Sequence, residues 1–199
     1  MPKPEPKKEE KISLSLNRDT LHVNGIKTAT ATATVENSSG KVTFSLSDTN
    51  CMTINENTGA INVVSNPKNC SNGATITATA KTPGGKKATA IIYYEKDLAL
   101  THNNITYTQD DRASGRHDTF TVNANQNVSW DIDVAVKPSY NYTYKDYKNE
   151  TATSVTGGYF IDSIVESSGA NIKIPTDVKV TATTKAEQKI SLIINRYIA

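Results

Sequence analysis

Catalysis needs a nucleophile, a base and an orienting group that a fold can bring together, and this chain offers few candidates. Its three histidines, His22, His102 and His117, are scattered, and no nucleophile elbow, zinc-protease helix, P-loop or dinucleotide turn occurs. Asp131 and Asp133 straddle Ile132, so a strand would set both carboxylates on the face opposite Trp130. A paired-carboxylate glycosidase site is one use for them; two solvated strand-face acids is the plainer one. Asp110 and Asp111 with Asp118 could offer oxygens to Ca²⁺, but their spacing is not that of an EF-hand loop, and an exposed acidic loop accounts for them. The expectation is a protein that is not an enzyme and uses no cofactor and no metal.

Cys51 and Cys70 stand without any CxxC or histidine spacing that would make a zinc site. Two readings stay open: small, partly buried thiols, or a disulfide closing a loop worth about 3 kcal/mol in the chain-entropy model. A hairpin across Asn55–Gly59 returns the chain towards Cys51, which would bring Cys70 near it. The segment Tyr140-Asn-Tyr142-Thr-Tyr144-Lys-Asp-Tyr147 gathers four of the nine tyrosines. On a strand, Tyr140, Tyr142 and Tyr144 share one face. Tyrosine gives large contact area at low entropy cost, as in a paratope or glycan platform. The same stripe could instead pack over its own sandwich or a neighbouring domain.

The N-terminus, Met1-Pro-Lys-Pro-Glu-Pro-Lys-Lys-Glu-Glu10, alternates prolines and has nothing apolar to bury, so residues 1–10 are expected to be an extended tail. Lys3, Lys7 and Lys8 make it a candidate docking arm. A secretory leader needs an apolar stretch of about 7–15 residues behind its positive charges, and none stands here. The expectation is a chain not secreted by that route, with removal of a leader as the alternative.

The elements that must position these residues are strands. Hydrophobic residues make up 36% of the 199, while 27 Thr, 19 Asn and 16 Ser fill nearly a third, a composition of strand faces and turns. A net charge of +2 recruits neither nucleic acid nor an anionic membrane, and no apolar run approaches a membrane span. Period-2 alternation recurs from Ile12-Ser-Leu-Ser-Leu16 through Thr28-Ala-Thr-Ala-Thr-Ala-Thr-Val35, Lys41–Ser47, Met52–Ile54, Ala60–Val64, Ala74–Lys81 and Ala88–Tyr94. A second series starts at Leu98. It continues through Ile105, Tyr107, Phe120 and Val122, then Val128–Val136 around Trp130, Tyr159–Val165, Val178–Thr184 and Ile190–Ile194. Both series have the strand count and spacing of an immunoglobulin-like sandwich. The fold class predicted is all-β: two tandem Ig-like β-sandwich domains, 11–96 and 97–199, behind the tail 1–10. Trp130 is read as a core residue, with an exposed sugar platform as its alternative.

Two resemblances sharpen this. Lys41-Val-Thr-Phe-Ser-Leu-Ser-Asp48, Ile54-Asn-Glu-Asn-Thr-Gly59-Ala-Ile-Asn-Val-Val64 and Gly73-Ala-Thr-Ile-Thr-Ala-Thr-Ala80 resemble the bacterial Ig-like (Big) domain, which places a core aromatic where Phe44 stands. Thr119-Phe-Thr-Val-Asn-Ala-Asn-Gln-Asn-Val-Ser-Trp130, with Val178–Thr183 and Lys189–Ile194, is similar to the BACON domain, departing from it by the Tyr-rich insertion. Tandem modules of this kind behind a charged, Pro-rich tail resemble the decoration (auxiliary) proteins of tailed-bacteriophage capsids, the crAss-like group among them. That resemblance implies a non-enzymatic structural or adhesion protein, made in the host cytoplasm and carried on the virion surface. Its partners would be the major capsid protein or sister subunits, and host-surface glycan as a further contact. The alternative is a secreted bacterial cell-surface Ig-like/BACON module that binds carbohydrate.

Overall fold

In Thr28–Val35 alternate side chains of a pleated strand point to opposite faces, so the run of alanines makes one thin face and the threonines the other. The computed structural model of the chain describes residues 8–67, 70, 73–103, 106–109, 116–136, 146–161 and 176–196. It sets this run in strand β3 (Thr28–Glu36), with Ala29 and Ala31 buried and the threonines outward. The chain divides into two units, Met1–Asp97 and Leu98–Ala199, one residue beyond the expected boundary. No helix occurs among the described residues.

In the first unit β1 (Lys11–Leu16) pairs antiparallel with β3, which pairs with β6 (Ala60–Val63), which pairs with β5 (Met52–Ile54). The facing sheet runs β2 (Thr20–Leu21), β8 (Lys87–Tyr94), β7 (Thr75–Lys81), β4 (Thr43–Leu46). β2 is only two residues long, and it lies parallel to the end of β8. Between the sheets lie Leu21, Ala29, Ala31, Met52, Ile61, Ile76, Ile92 and Tyr94, with Leu14, Leu16, Phe44 and Leu46 closing the flanks. Gly59, in the β5–β6 turn, has φ +71° because its backbone carbonyl must accept the Ala31 N–H at 2.9 Å. A Cβ there would collide with the Ala31 carbonyl oxygen.

The second unit repeats the arrangement. One sheet orders β10 (Thr106–Gln109), β11 (Arg116–Ala124), β14 (Ser154–Ile161), β13 (Asp146–Glu150), with the short β9 (Leu100–His102) also on β11. The other orders β12 (Ser129–Val136), β15 (Thr176–Thr183), β16 (Lys189–Arg196). Phe120, Val122, Trp130, Val155, Val178, Val180, Ala182 and Ile194 fill its core. With the short β2 and β9 left aside and the rest taken in chain order, the first, second, fifth and fourth strands form one sheet in each unit, and the third, sixth and seventh form the other. That is the strand partition of a seven-stranded immunoglobulin sandwich. The fold is all-β and Ig-like.

Sequence pattern and structure differ at two strands of the second unit. β14 starts at Ser154, five residues before the expected Tyr159, because Gly157-Gly158 is used inside a strand: Phe120, opposite Gly157 in register, lays its ring over the missing side chain. β13 carries no alternation and was not expected. Trp130 does lie in the core, and its indole N–H donates to the Thr151 carbonyl oxygen at 3.0 Å.

Candidate interaction surfaces

The cysteines are the first predicted site the structure places. Cys51 precedes β5 and is fully buried; Cys70 lies in the loop after β6; they form a disulfide with Cα atoms 4.9 Å apart. The bond fastens the β6–β7 connection to the sheet rather than joining the two sheets.

Of the tail lysines, Lys3 and Lys7 lie outside the described residues, and Lys8 is exposed at the root of the arm. That root is held on the first unit. Glu9 pairs with Lys86 at 2.9 Å, and the Asn37 side-chain amide donates to the Glu9 carbonyl oxygen at 3.0 Å. The Lys86 ammonium, by hydrogen bond and then by charge, holds the Glu9 carboxyl below the usual carboxylate range. Lys8, Glu9 and Glu10 with Asn37, Ser38, Ser39 and Gly84 line a polar cleft of about 490 Å³.

Tyr140, Tyr142 and Tyr144 lie outside the described residues; Tyr147 is in β13, with its side chain outside them. Asp110 and Asp111 are also outside, so the Ca²⁺ question falls there. Asp131 and Asp133 project from the outer face of β12 into solvent, with no hydrogen bond or ion pair among the described residues. Among those residues no three metal-ligating side chains come together.

Sequence reasoning missed a buried histidine. The His22 ring is fully buried and packs against Tyr94, ring centres 5.1 Å apart. The Asn24 N–H donates to its Nδ1 at 3.1 Å, so the ring proton sits on Nε2 and is donated to Asp97 at 3.0 Å. Burial raises the Tyr94 phenol above its ordinary value, and the Asp97 charge adds to this while a hydrogen bond with the Val23 backbone opposes it.

It also missed an internal repeat. Residues 79–93 match 181–195 at a constant offset of 102, with identity at Thr79/Thr181, Ala80/Ala182, Thr82/Thr184, Lys87/Lys189, Ile91/Ile193 and Ile92/Ile194. These segments are the β7–β8 and β15–β16 hairpins, and their turns are built alike. Thr82 N–H donates to the Lys86 carbonyl at 2.9 Å, and the Thr82 hydroxyl accepts the Lys86 N–H at 3.1 Å. Thr184 and Gln188 repeat both bonds at 3.0 and 3.1 Å. The left-handed residue is Gly85 (φ +90°) in one and Glu187 (φ +61°) in the other. Both hairpins point one isoleucine inward (Ile92, Ile194) and leave its neighbour out: Ile91 is 42% exposed and Ile193 58%.

No protein-family model matches the chain, and no curated protein does. Among solved structures, it is similar to the extracellular cadherin domains 1–4 of protocadherin gamma B7 (15% identity, TM-score 0.36, covering 94% of this chain and 50% of that one). The extracellular domain of protocadherin gamma B4 matches at 14% identity and TM-score 0.32, over 93% of this chain and 31% of that one. The N-terminal eight Ig domains of Down Syndrome Cell Adhesion Molecule match at 12% and 0.30, over 93% and 26%. The chain spans half the length of the first and under a third of the others.

Proposed function

We propose that this chain is a non-enzymatic assembly or adhesion module displayed on the outside of a particle or cell. The observation that carries the reading is the Cys51–Cys70 disulfide, since structural disulfides persist where thiols are not kept reduced. It is supported by sheets whose outer faces bear threonine, serine, lysine and single isoleucines, suited to contact rather than to enclosing a substrate. The setting we favour is a capsid decoration protein of a tailed phage. The first unit and its arm, with Lys3, Lys7 and Lys8, dock on the major capsid protein or on sister subunits, and the bond forms after release from the host cytoplasm. The second reading is a BACON- or Big-like cell-surface module that binds carbohydrate. The disulfide also favours that reading, because an exported chain would form it in transit.

Co-sedimentation of the purified full chain with intact capsid shells, beside retention on immobilised host polysaccharide, tests the proposal. Binding to shells, weakened by deleting residues 1–10, is the expected result. Retention by polysaccharide without shell binding transfers the function to the second reading, and failure of both removes it.

A further inference from the structure

Strand β16 is the last of its sheet, and no described strand pairs with its other side. The Thr184 N–H donates to the Gln188 carbonyl, so Gln188 and every second residue after it turn their backbone groups to β15. Lys189 and Ser191 therefore present N–H and C=O along the open edge, with their side chains on the exposed face of the sheet. On the opposite face the same edge leaves Ile190 37% exposed, beside the partly buried Leu192. A row of open backbone groups flanked by apolar side chains is a template for one more strand.

The chain carries a segment, outside the described residues, whose sequence fits such an edge. In Pro2-Lys3-Pro4-Glu5-Pro6-Lys7 every missing N–H falls on one side of an extended strand. The N–H and C=O of Lys3, Glu5 and Lys7 fall on the other, so the segment can pair along one edge only, which is where sheets accept proline. We infer that residues 2–7 of one copy add to β16 of a second copy as an antiparallel strand, with Glu5 opposite Lys189 and Lys3 opposite Ser191. Antiparallel pairing sets bonded residues of both strands on the same face, so the charged side chains lie outside and the prolines inside. Pro2 and Pro4 then cover Leu192 and Ile190, and Lys7 comes level with Glu187 in the turn. Sliding by two residues either way sets Lys3 or Lys7 against Lys189, and sliding by one turns the prolines to the ladder. The equivalent edge of β8 fits worse: β2 takes part of it, Ala88 and Ala90 stand for Ile190 and Leu192, and Gly85 stands for Glu187. The arm also falls short of the junction that leads to its own second unit. Glu9 is held by Lys86 just before β8, and the chain leaves the first unit beyond the far end of that strand, about 23 Å on. Glu5 to Glu9 spans at most about 14 Å. The inference rests on the docking arm proposed above and gives that arm a sister copy as its partner.

Amide hydrogen exchange read by NMR on the full chain, at about 0.05 and about 1 mM, tests this. At the higher concentration the Lys189 and Ser191 amides should exchange at least about threefold more slowly than in the chain lacking residues 1–10, and at the lower one the difference should fade. The Ile190 and Leu192 amides, already bonded to β15, should not change. Glu5→Ala, which keeps the ladder N–H, should retain most of the protection, and Glu5→Pro should abolish it. Lys189→Glu should weaken it, and Lys189→Glu with Glu5→Lys should restore it. Unchanged melting curves show that the variants are folded, and the arm variants alone decide the matter if Lys189→Glu is not. Absence of protection at the higher concentration overturns the inference, as does Glu5→Pro behaving like Glu5→Ala. Protection that is the same at both concentrations also overturns it, because the chain's own arm then occupies the edge. If protection is absent while deleting residues 1–10 still weakens binding to capsid shells, the docking arm stands and the sister copy is not its partner.

Discussion

Phe120 and Gly157 offer a quantitative check on the core of the second unit. They face each other across β11 and β14, and the Phe120 ring is 4% exposed. A Cβ on residue 157 would lie 2.7 Å from Phe120 Cε1 and closer still to Cζ. Carbon pairs settle at about 3.5–4.0 Å, so in Gly157→Ala the ring must withdraw by about 1 Å or more. It has nowhere open to go, because Val122, Val155 and Trp130 belong to the same packed cluster. Overpacking of this kind costs about 1–3 kcal/mol, and the displacement puts it near the top of that range. Replacing a strand glycine by alanine returns about 0.5–1 kcal/mol of chain entropy. The net loss is about 2 kcal/mol, which at about 4–8 °C per kcal/mol lowers the unit's melting midpoint by roughly 8–16 °C. Trp130, the single tryptophan, sits in this core and reports its unfolding by fluorescence. Phe120→Leu removes the clashing ring atoms. The double variant should therefore lose less than the sum of the singles by about 1 kcal/mol. Gly157→Ala within 0.5 kcal/mol of wild type, or strict additivity in the cycle, would refute the packing described.

Other expectations follow from single sites. Replacing Cys51 and Cys70 together by alanine should cost the first unit about 3 kcal/mol, the entropy of the loop they close, seen as a lower calorimetric midpoint. Gly59→Ala should destabilise that unit by more than about 2 kcal/mol, since its Cβ meets a backbone oxygen that side-chain repacking cannot move, and urea titration measures it. The Glu9 carboxyl should titrate below the usual carboxylate range in carbon-detected NMR and return to the ordinary value in Lys86→Met. The sign is that of a depressed carboxylate. Its contribution to holding the arm is present above the unfolded-state value and is lost as pH falls through the lowered one.

Much of this fold was legible because alternation is a strong signal where one sheet face is buried. Thr28–Val35 showed its buried alanines, and Val128–Val136 showed Trp130 facing in with Asp131 and Asp133 facing out. What escaped has physical reasons. Gly157-Gly158 reads as a chain breaker, and only the ring of Phe120 explains a glycine in mid-strand. Asp-Tyr-Lys-Asn-Glu in β13 has no apolar period because it is an edge strand. The pairing of Cys51 with Cys70 depends on where the chain goes after β6, which spacing alone left open. The repeat at offset 102 was present in the sequence. It is confined to one hairpin per unit, and its physical content, the shared turn bonds of Thr82 with Lys86 and Thr184 with Gln188, shows only in the structure.

The proposed function places the module on an outer surface, beyond the reducing cytoplasm. Its most direct test uses the protein on its native particles or cells, treated intact with a membrane-impermeant amine-labelling reagent and then, under denaturation, with a thiol-reactive mass tag before and after reduction. Amine labelling without lysis, no tag before reduction and two tags after it are the expected results. Protein that labels only after lysis and takes two tags without reduction would contradict that placement.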